Sequence, residues 1–215
     1  MAQIVLIYGK SGSGKSCSLK NFAEDKILLI NVEDKMMPFR KKFKYTLSTD
    51  NYTLIMQQLS KMPLKIAIID DAGYLLTNKF MSKHSSGRKG SAVYELYNDI
   101  GDTFWGLLKF IKNKLPGNVI VYVIMHEDTN ENGTTKLKTI GKLLDDKVCL
   151  EGMVTVYMRC MSEDCRHYFK TVTDGHDITK TPEEMFGSEE IDNDLKFVDA
   201  TIREYYELNE SKENK

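Results

Sequence analysis

Residues 9–16, with the sequence GKSGSGKS, constrain the fold of this chain more than any other segment. They follow an apolar run at residues 4–8 and precede a stretch with amphipathic spacing. Gly9 and Gly14, with four residues between them, followed by Lys15 and Ser16, have the spacing of a phosphate-binding loop that joins a buried strand to a helix. A flexible Gly/Ser linker would need neither the apolar run before it nor the amphipathic stretch after it. The sequence therefore predicts an α/β fold that binds a nucleotide beyond its first strand.

The residue types in this loop each suit a task in anion binding. Small residues let successive backbone N–H groups turn toward a β-phosphate, Lys15 reaches the β- and γ-phosphates, and the Ser16 hydroxyl binds Mg²⁺. A helix that begins near Lys15 adds the partial positive charge of its N-terminus. We expect the nucleotide, ATP, to be held by Gly9, Lys10, Ser11, Gly12, Ser13, Gly14, Lys15, Ser16 and Cys17.

Composition narrows the class of protein. A length of 215 residues, with 41% hydrophobic and 28% charged residues, predicts one globular domain, which we place at residues 1–206 with a flexible tail at 207–215. The net charge of −1 means that any nucleic-acid contact must be local. Four cysteines at irregular spacing indicate reduced thiols, and no segment approaches the ~20 apolar residues of a membrane span. We therefore expect a cytoplasmic protein without a membrane segment.

Apolar segments alternate with amphipathic ones along the chain. We predict strands at residues 3–8, 26–32, 45–47, 65–70 and 118–125, and helices at 16–22, from 49 or 50 to 62, at 92–115 and from Asn193. Residues 78–91 and 127–135 are predicted loops, and 140–144 a helical turn. This alternation predicts a mostly parallel central sheet with helices on both faces. Residues 153–161 and 166–173 predict an antiparallel hairpin at one edge of the sheet.

A second motif supports the first. Residues 66–69 are apolar and end in Asp70, which matches the Walker B pattern, in which an aspartate holds a Mg²⁺-bound water beside Ser16. The predicted metal shell is therefore Ser16 and, through water, Asp70.

Hydrolysis would also need a carboxylate that orients water toward the γ-phosphate. Glu33, after the strand that follows the phosphate-binding loop, and Asp71, after Asp70, are both candidates.

With these motifs the chain resembles the RecA-like P-loop ATPases, most closely the small phage-encoded members associated with single-strand annealing and recombination. The resemblance implies that Glu33 is the catalytic glutamate and that His126, at the end of a later strand, senses the γ-phosphate. It thus adds Glu33 and His126 to Lys15 as catalytic residues. It also implies a homo-oligomer, partners among phage or host recombination proteins, and a positive residue supplied by a neighbouring subunit, for which Arg159, Arg166 and Lys138 are candidates.

The resemblance further implies two DNA-facing segments, at residues 78–91 and 127–142. Their basic residues can bind the backbone of single-stranded DNA without sequence preference, and Phe80 or Tyr94 could stack on bases. In a lysine-rich protein the alternative is a pair of solvated loops. The candidates for DNA binding are Lys79, Lys83, Arg88, Lys89, Lys136, Lys138 and Lys142.

Two alternatives remain beside a DNA-coupled ATPase. A nucleoside or nucleotide kinase would need clustered arginines to clamp two phosphate groups, but the chain has only five arginines, all scattered. A nucleotide-dependent regulatory protein with little hydrolysis would share every motif above. A zinc site at Cys160, Cys165 and His167 lacks a second ligand pair, and these residues suit the hairpin better.

Overall fold

The described part of the chain contains one nine-stranded sheet and the helices around it. A computed structural model describes residues 1–84, 91–145 and 149–208, without the side chains of residues 142 and 143. The strands are β1 (Gln3–Gly9), β2 (Leu28–Asn31), β3 (Tyr45–Ser48), β4 (Ile66–Asp70), β5 (Ile120–Thr129), β6 (Thr135–Leu137), β7 (Val156–Glu163), β8 (Arg166–Lys170) and β9 (Glu190–Asp192). The α-helices are α1 (Tyr52–Lys61), α2 (Gly73–His84), α3 (Ser91–Lys114), α4 (Lys142–Asp145) and α5 (Leu195–Tyr205), and 3-10 helices span Ser16–Asn21 and Glu151–Met153.

The predicted fold class is confirmed. The strand order is β3-β2-β4-β5-β1-β7-β8-β9, with β6 paired to β5. Strands β3, β2, β4, β5, β1 and β7 are parallel, and β7 with β8 forms the predicted antiparallel hairpin at the edge. Because β5 lies between β1 and β4, the carboxyl ends of these three strands meet at one edge of the sheet.

Both faces of the sheet are buried, as continuous apolar strands require. Along β1, Leu6 and Tyr8 face a core that contains α1, α2 and α3, whereas Val5 and Ile7 face a second core with the first 3-10 helix and α5. This packing fixes the register of β1 against its neighbours, and in that register Gly9 pairs with His126 of β5.

Two segments predicted as loops are regular structure instead. Residues 78–84 continue helix α2, because Phe80 packs on Tyr97 and Lys79 bonds to Asp99 of α3. Strand β5 continues to Thr129 and forms a hairpin with β6, in which Leu137 is buried. The remaining residues of the first predicted loop, 85–90, and residues 209–215 of the predicted tail lie outside the described residues.

The helix predicted after the phosphate-binding loop, at residues 16–22, is a 3-10 helix, Ser16–Asn21. The Ser18 hydroxyl donates to the Lys15 carbonyl at 2.5 Å, a local bond of the kind that competes with the α-helical pattern.

Candidate functional site

The phosphate-binding loop leaves β1 at Gly9 and is shaped by three glycines. A Cβ atom on Gly9 would lie 2.4 Å from the Cys160 carbonyl oxygen, so no larger residue fits there. Gly12 and Gly14 have φ angles of 80° and 99°, in the left-handed region that glycine adopts without strain. These turns open the loop around a concave face.

That face carries unpaired hydrogen-bond donors. The backbone N–H groups of Gly12, Gly14 and Lys15 donate to no acceptor in the described part of the chain. The Lys15 ammonium is buried and donates to the carbonyls of Gly9 at 2.8 Å and Lys10 at 2.7 Å. Burial lowers the pKa of Lys15. Free N–H groups beside a buried cation form a site for an anion such as a phosphate.

A hydroxyl and a carboxylate lie next to this loop. The Ser16 hydroxyl donates to Asp70 Oδ2 at 2.8 Å, which joins the start of the 3-10 helix to the end of β4. Burial raises the pKa of Asp70 to about 6. Hard oxygen ligands of this kind suit Mg²⁺, and a cation there would offset the cost of burying the carboxylate. Ser16 and Asp70 therefore fit the predicted metal shell.

Asp71 organises a second group of charges at the same edge. Its carboxylate accepts a hydrogen bond from Lys35 at 2.7 Å and lies 3.4 Å from His126 Nε2. Burial opposes ionisation, but the contacts with His126 and Lys35 lower the pKa of Asp71 to about 2. Tyr74 of α2 packs edge-on against His126 and beneath the Lys35 ammonium. Sequence reasoning missed Lys35 and Tyr74; their only signal was position, just beyond β2 and β4.

Glu33 lies elsewhere in this arrangement. It does not line the phosphate cavity described below, and its Oε1 accepts a hydrogen bond from Asn78 of α2 at 2.9 Å. The Asn78 amide also contacts Asp50 at 3.2 Å. Of the two predicted carboxylates, the structure therefore brings Asp71 to the cavity and holds Glu33 against α2.

Two adjoining cavities lie beside the loop. The phosphate cavity, of about 520 Å³, is lined by predicted and unpredicted residues. The predicted ones are Ser11, Gly12, Gly14, Lys15, Ser16, Cys17, Asp70, Asp71, His126 and Lys138, and the others include Lys35, Tyr74 and His167. A second cavity of about 950 Å³ shares Cys17, Pro38 and His167 with it and continues to Phe39 and Phe197. Lys10 and Ser13 line neither; they line a third cavity, beside Cys160.

The predicted DNA-binding cations have varied surroundings. Lys79 and Lys83 pair with Asp99, Lys136 pairs with Asp145, and Lys138 is exposed at the phosphate cavity. Arg88, Lys89 and the side chain of Lys142 lie outside the described residues.

The two arginines considered as inter-subunit residues are paired within the chain. Arg159 makes two hydrogen bonds to Glu127, at 2.8 and 3.0 Å, and Arg166 bonds to Glu190 at 2.9 Å. An arginine held in this way would have to break an internal ion pair before it could reach another subunit.

Two of the hairpin residues considered as zinc ligands contact the phosphate-binding loop. Cys160 and His167 both contact the Ser13 carbonyl, and burial raises the pKa of the Cys160 thiol to about 11. The described residues contain no cluster of three His, Cys, Asp or Glu side chains placed to hold a metal ion.

Comparison with protein families matches residues 1–186 to the family described as AAA domain. The match includes every predicted site residue. A search of the curated proteins gives no match. In the described part of the chain, no helix has both the length and the apolar character needed to cross a membrane.

Proposed function

This chain belongs to the AAA domain family, and from that premise we propose that it binds ATP with Mg²⁺ at residues 9–17 and hydrolyses it to ADP and phosphate. One observation carries the proposal: Gly12, Gly14 and Lys15, whose backbone N–H groups donate to no acceptor among the described residues, line the same cavity as the hydrogen-bonded pair of Ser16 and Asp70. Each of these groups binds a different part of a metal-bound triphosphate.

The two adjoining cavities indicate which way round the nucleotide would bind. Asp70, Asp71 and His126 mark the end where the γ-phosphate would lie, so the nucleoside would leave past Cys17 into the larger cavity. The aromatic rings of Phe39 and Phe197 there offer surfaces on which a base can pack.

Side chains of this chain can supply the positive charge and the water-orienting carboxylate that hydrolysis needs. The cations of Lys15, Lys35 and Lys138 line the phosphate cavity and would offset charge that develops on the γ-phosphate. We retain Glu33 as the carboxylate that orients water, because Asp71 is already held by Lys35 and His126. Glu33 would act after releasing Asn78. Bound Mg²⁺ would polarise the phosphate oxygens.

A kinase is less well supported. No arginine lines the phosphate cavity among the described residues, whereas transfer to a phosphorylated acceptor would need such clamps. Incubation with labelled ATP and a panel of nucleosides would decide, since label on any acceptor would contradict hydrolysis as the function.

We further propose that nucleotide state is coupled to single-stranded DNA binding, in phage-type recombination or annealing and in a homo-oligomer. The resemblance to RecA-like ATPases motivates this proposal, and two contacts support it. Glu33 bonds to Asn78 in the first predicted DNA segment, and the His126 carbonyl accepts the N–H of Lys138, in the second, at 2.8 Å. A change at the γ-phosphate would therefore be transmitted to both segments.

The decisive test is an ATPase assay with and without single-stranded DNA. We expect Mg²⁺-dependent turnover that Lys15→Ala abolishes and Glu33→Gln lowers by about 100-fold or more. DNA should bind at low salt, dissociate as salt rises, and stimulate turnover. Unchanged turnover with DNA, together with no DNA retention at low salt, would contradict the coupling alone. ATP binding without turnover would instead favour a nucleotide-dependent regulatory protein.

A further inference from the structure

Side chains from the far edge of the sheet hold two carbonyl groups of the phosphate-binding loop. Asn193 Nδ2 donates to the Gly14 carbonyl at 2.9 Å, and His167 Nδ1 contacts the Ser13 carbonyl at 2.9 Å. Because a carbonyl oxygen only accepts, Nδ1 carries the proton in this bond. The Cys160 thiol donates to the same Ser13 oxygen at 3.1 Å.

These two carbonyls belong to the peptide groups that carry phosphate-binding N–H groups. The Ser13 carbonyl shares a peptide plane with the Gly14 N–H, and the Gly14 carbonyl shares one with the Lys15 N–H. In a planar trans peptide the C=O and N–H bonds point in opposite directions. A side chain that fixes the carbonyl therefore also fixes the direction of the N–H, and both N–H groups are free.

The fit between the loop and these side chains is close. A Cβ atom on Gly14 would lie 2.6 Å from Asn193 Nδ2 and 2.9 Å from His167 Nδ1. The next residue, Asp194, caps helix α5 and accepts a hydrogen bond from Asn21 at 2.7 Å. Asn193 is thus held between β9 and α5, which gives its amide a fixed place beside the loop.

We propose that Asn193 and His167 are positioning residues for nucleotide binding, which aim the Gly14 and Lys15 N–H groups at the β-phosphate by anchoring the carbonyls behind them. This inference rests on the proposed function, since it concerns the same site. It gives the edge strands β8 and β9 a task in nucleotide affinity, although they lie beyond the strands that carry the Walker motifs.

The test compares Asn193→Leu, His167→Leu and His167→Asn with the wild type. Leucine fills similar space without a donor, whereas the asparagine amide can replace Nδ1. Lys196→Leu, an exposed change on α5, is the matched control. Isothermal titration with Mg·ADP measures affinity, and thermal unfolding without nucleotide reports on the fold.

We expect each leucine variant to bind Mg·ADP about 10-fold more weakly, while its unfolding temperature without nucleotide stays near that of the wild type. His167→Asn should restore most of the affinity, and Lys196→Leu should change nothing. In turnover, the leucine variants should raise KM for ATP more than they lower kcat.

Wild-type affinity in both leucine variants would overturn the inference and leave the proposed function intact. Equal weakening by His167→Leu and His167→Asn would overturn the part assigned to His167. If the wild type bound no nucleotide, the proposed function itself would fail.

Discussion

At the scale of single residues, the buried carboxylate of Asp70 suits metal binding but costs the metal-free fold stability. Its carboxylate is buried at the end of β4, and burial raises its pKa from 3.8 to about 6. The folded state therefore binds a proton more tightly than the unfolded state. Without metal, stability must fall as pH rises from about 4 to about 6, and the cost persists above pH 6.

Asp70→Asn should remove this cost. We expect the metal-free variant to gain about 1–2 kcal/mol of unfolding free energy at pH 7.5, less than the pKa shift alone implies because an amide offers one acceptor oxygen fewer. The gain should shrink toward pH 4, where the wild-type carboxyl is protonated. Urea unfolding in a chelator measures both values, and Mg²⁺-dependent ATP turnover should be lost. A variant less stable than the wild type at neutral pH would contradict this account.

Asn78 is the second residue whose replacement is informative. It holds Glu33 at 2.9 Å, away from the phosphate cavity. We expect Asn78→Ala to raise basal ATP turnover several-fold, because Glu33 no longer has to break that bond, and to weaken any stimulation by DNA. Thr77→Ala, on the exposed face of the same helix, is the control. A loss of turnover in Asn78→Ala would mean that Asn78 positions Glu33 for catalysis instead.

At the scale of elements, the sequence predicted the strands well because a parallel strand buried on both faces is apolar throughout. The sequence predicted least well the elements that are stabilised by contacts with other segments of the chain. Residues 78–84 contain few apolar side chains, and their helix is stabilised by contacts with α3. Strand β6 has three residues and exists because β5 extends beyond the core to pair with it.

Helix α5 gives the element-scale prediction. Arg203 bonds to Asp199 at 2.7 Å and to the carbonyls of Asn118 and Lys65, and Tyr122 donates to Asp199. Both charged residues are buried. Arg203→Ala leaves Asp199 as an unpaired buried charge, so we expect a loss of about 3–5 kcal/mol in urea unfolding.

Phe197→Ala provides the comparison, because that ring is half exposed on the same helix and should cost much less. Restoration of stability in Arg203→Ala by a second change, Asp199→Ala, would support the unpaired charge as the cause. Equal costs for Arg203→Ala and Phe197→Ala would argue against it.

At the scale of the whole molecule, the sequence predicted those residues of the candidate site that belong to a local motif. The loop, Ser16 and Asp70 follow from strand ends that a parallel sheet brings to one edge, whereas His126 came from the resemblance to RecA-like ATPases. His167 and Asn193 could not be predicted, because they reach the loop through contacts between distant segments; Asn193 and Gly14 are 179 residues apart. Only the packing of β8, β9 and α5 brings them together.

Because the site draws on groups from both halves of the chain, nucleotide binding should stabilise the molecule as a unit. At a ligand concentration of about 100 times Kd, linkage gives about 2.7 kcal/mol, which raises the unfolding temperature of a chain of this size by about 5–10 °C. We expect this shift with Mg·ADP in differential scanning calorimetry, and a much smaller one in Lys15→Ala. Lys61→Ala, an exposed change at the end of α1, should keep the full shift. The same shift in Lys15→Ala as in the wild type would place the nucleotide away from the phosphate-binding loop, since the buried ammonium could then have no part in holding it.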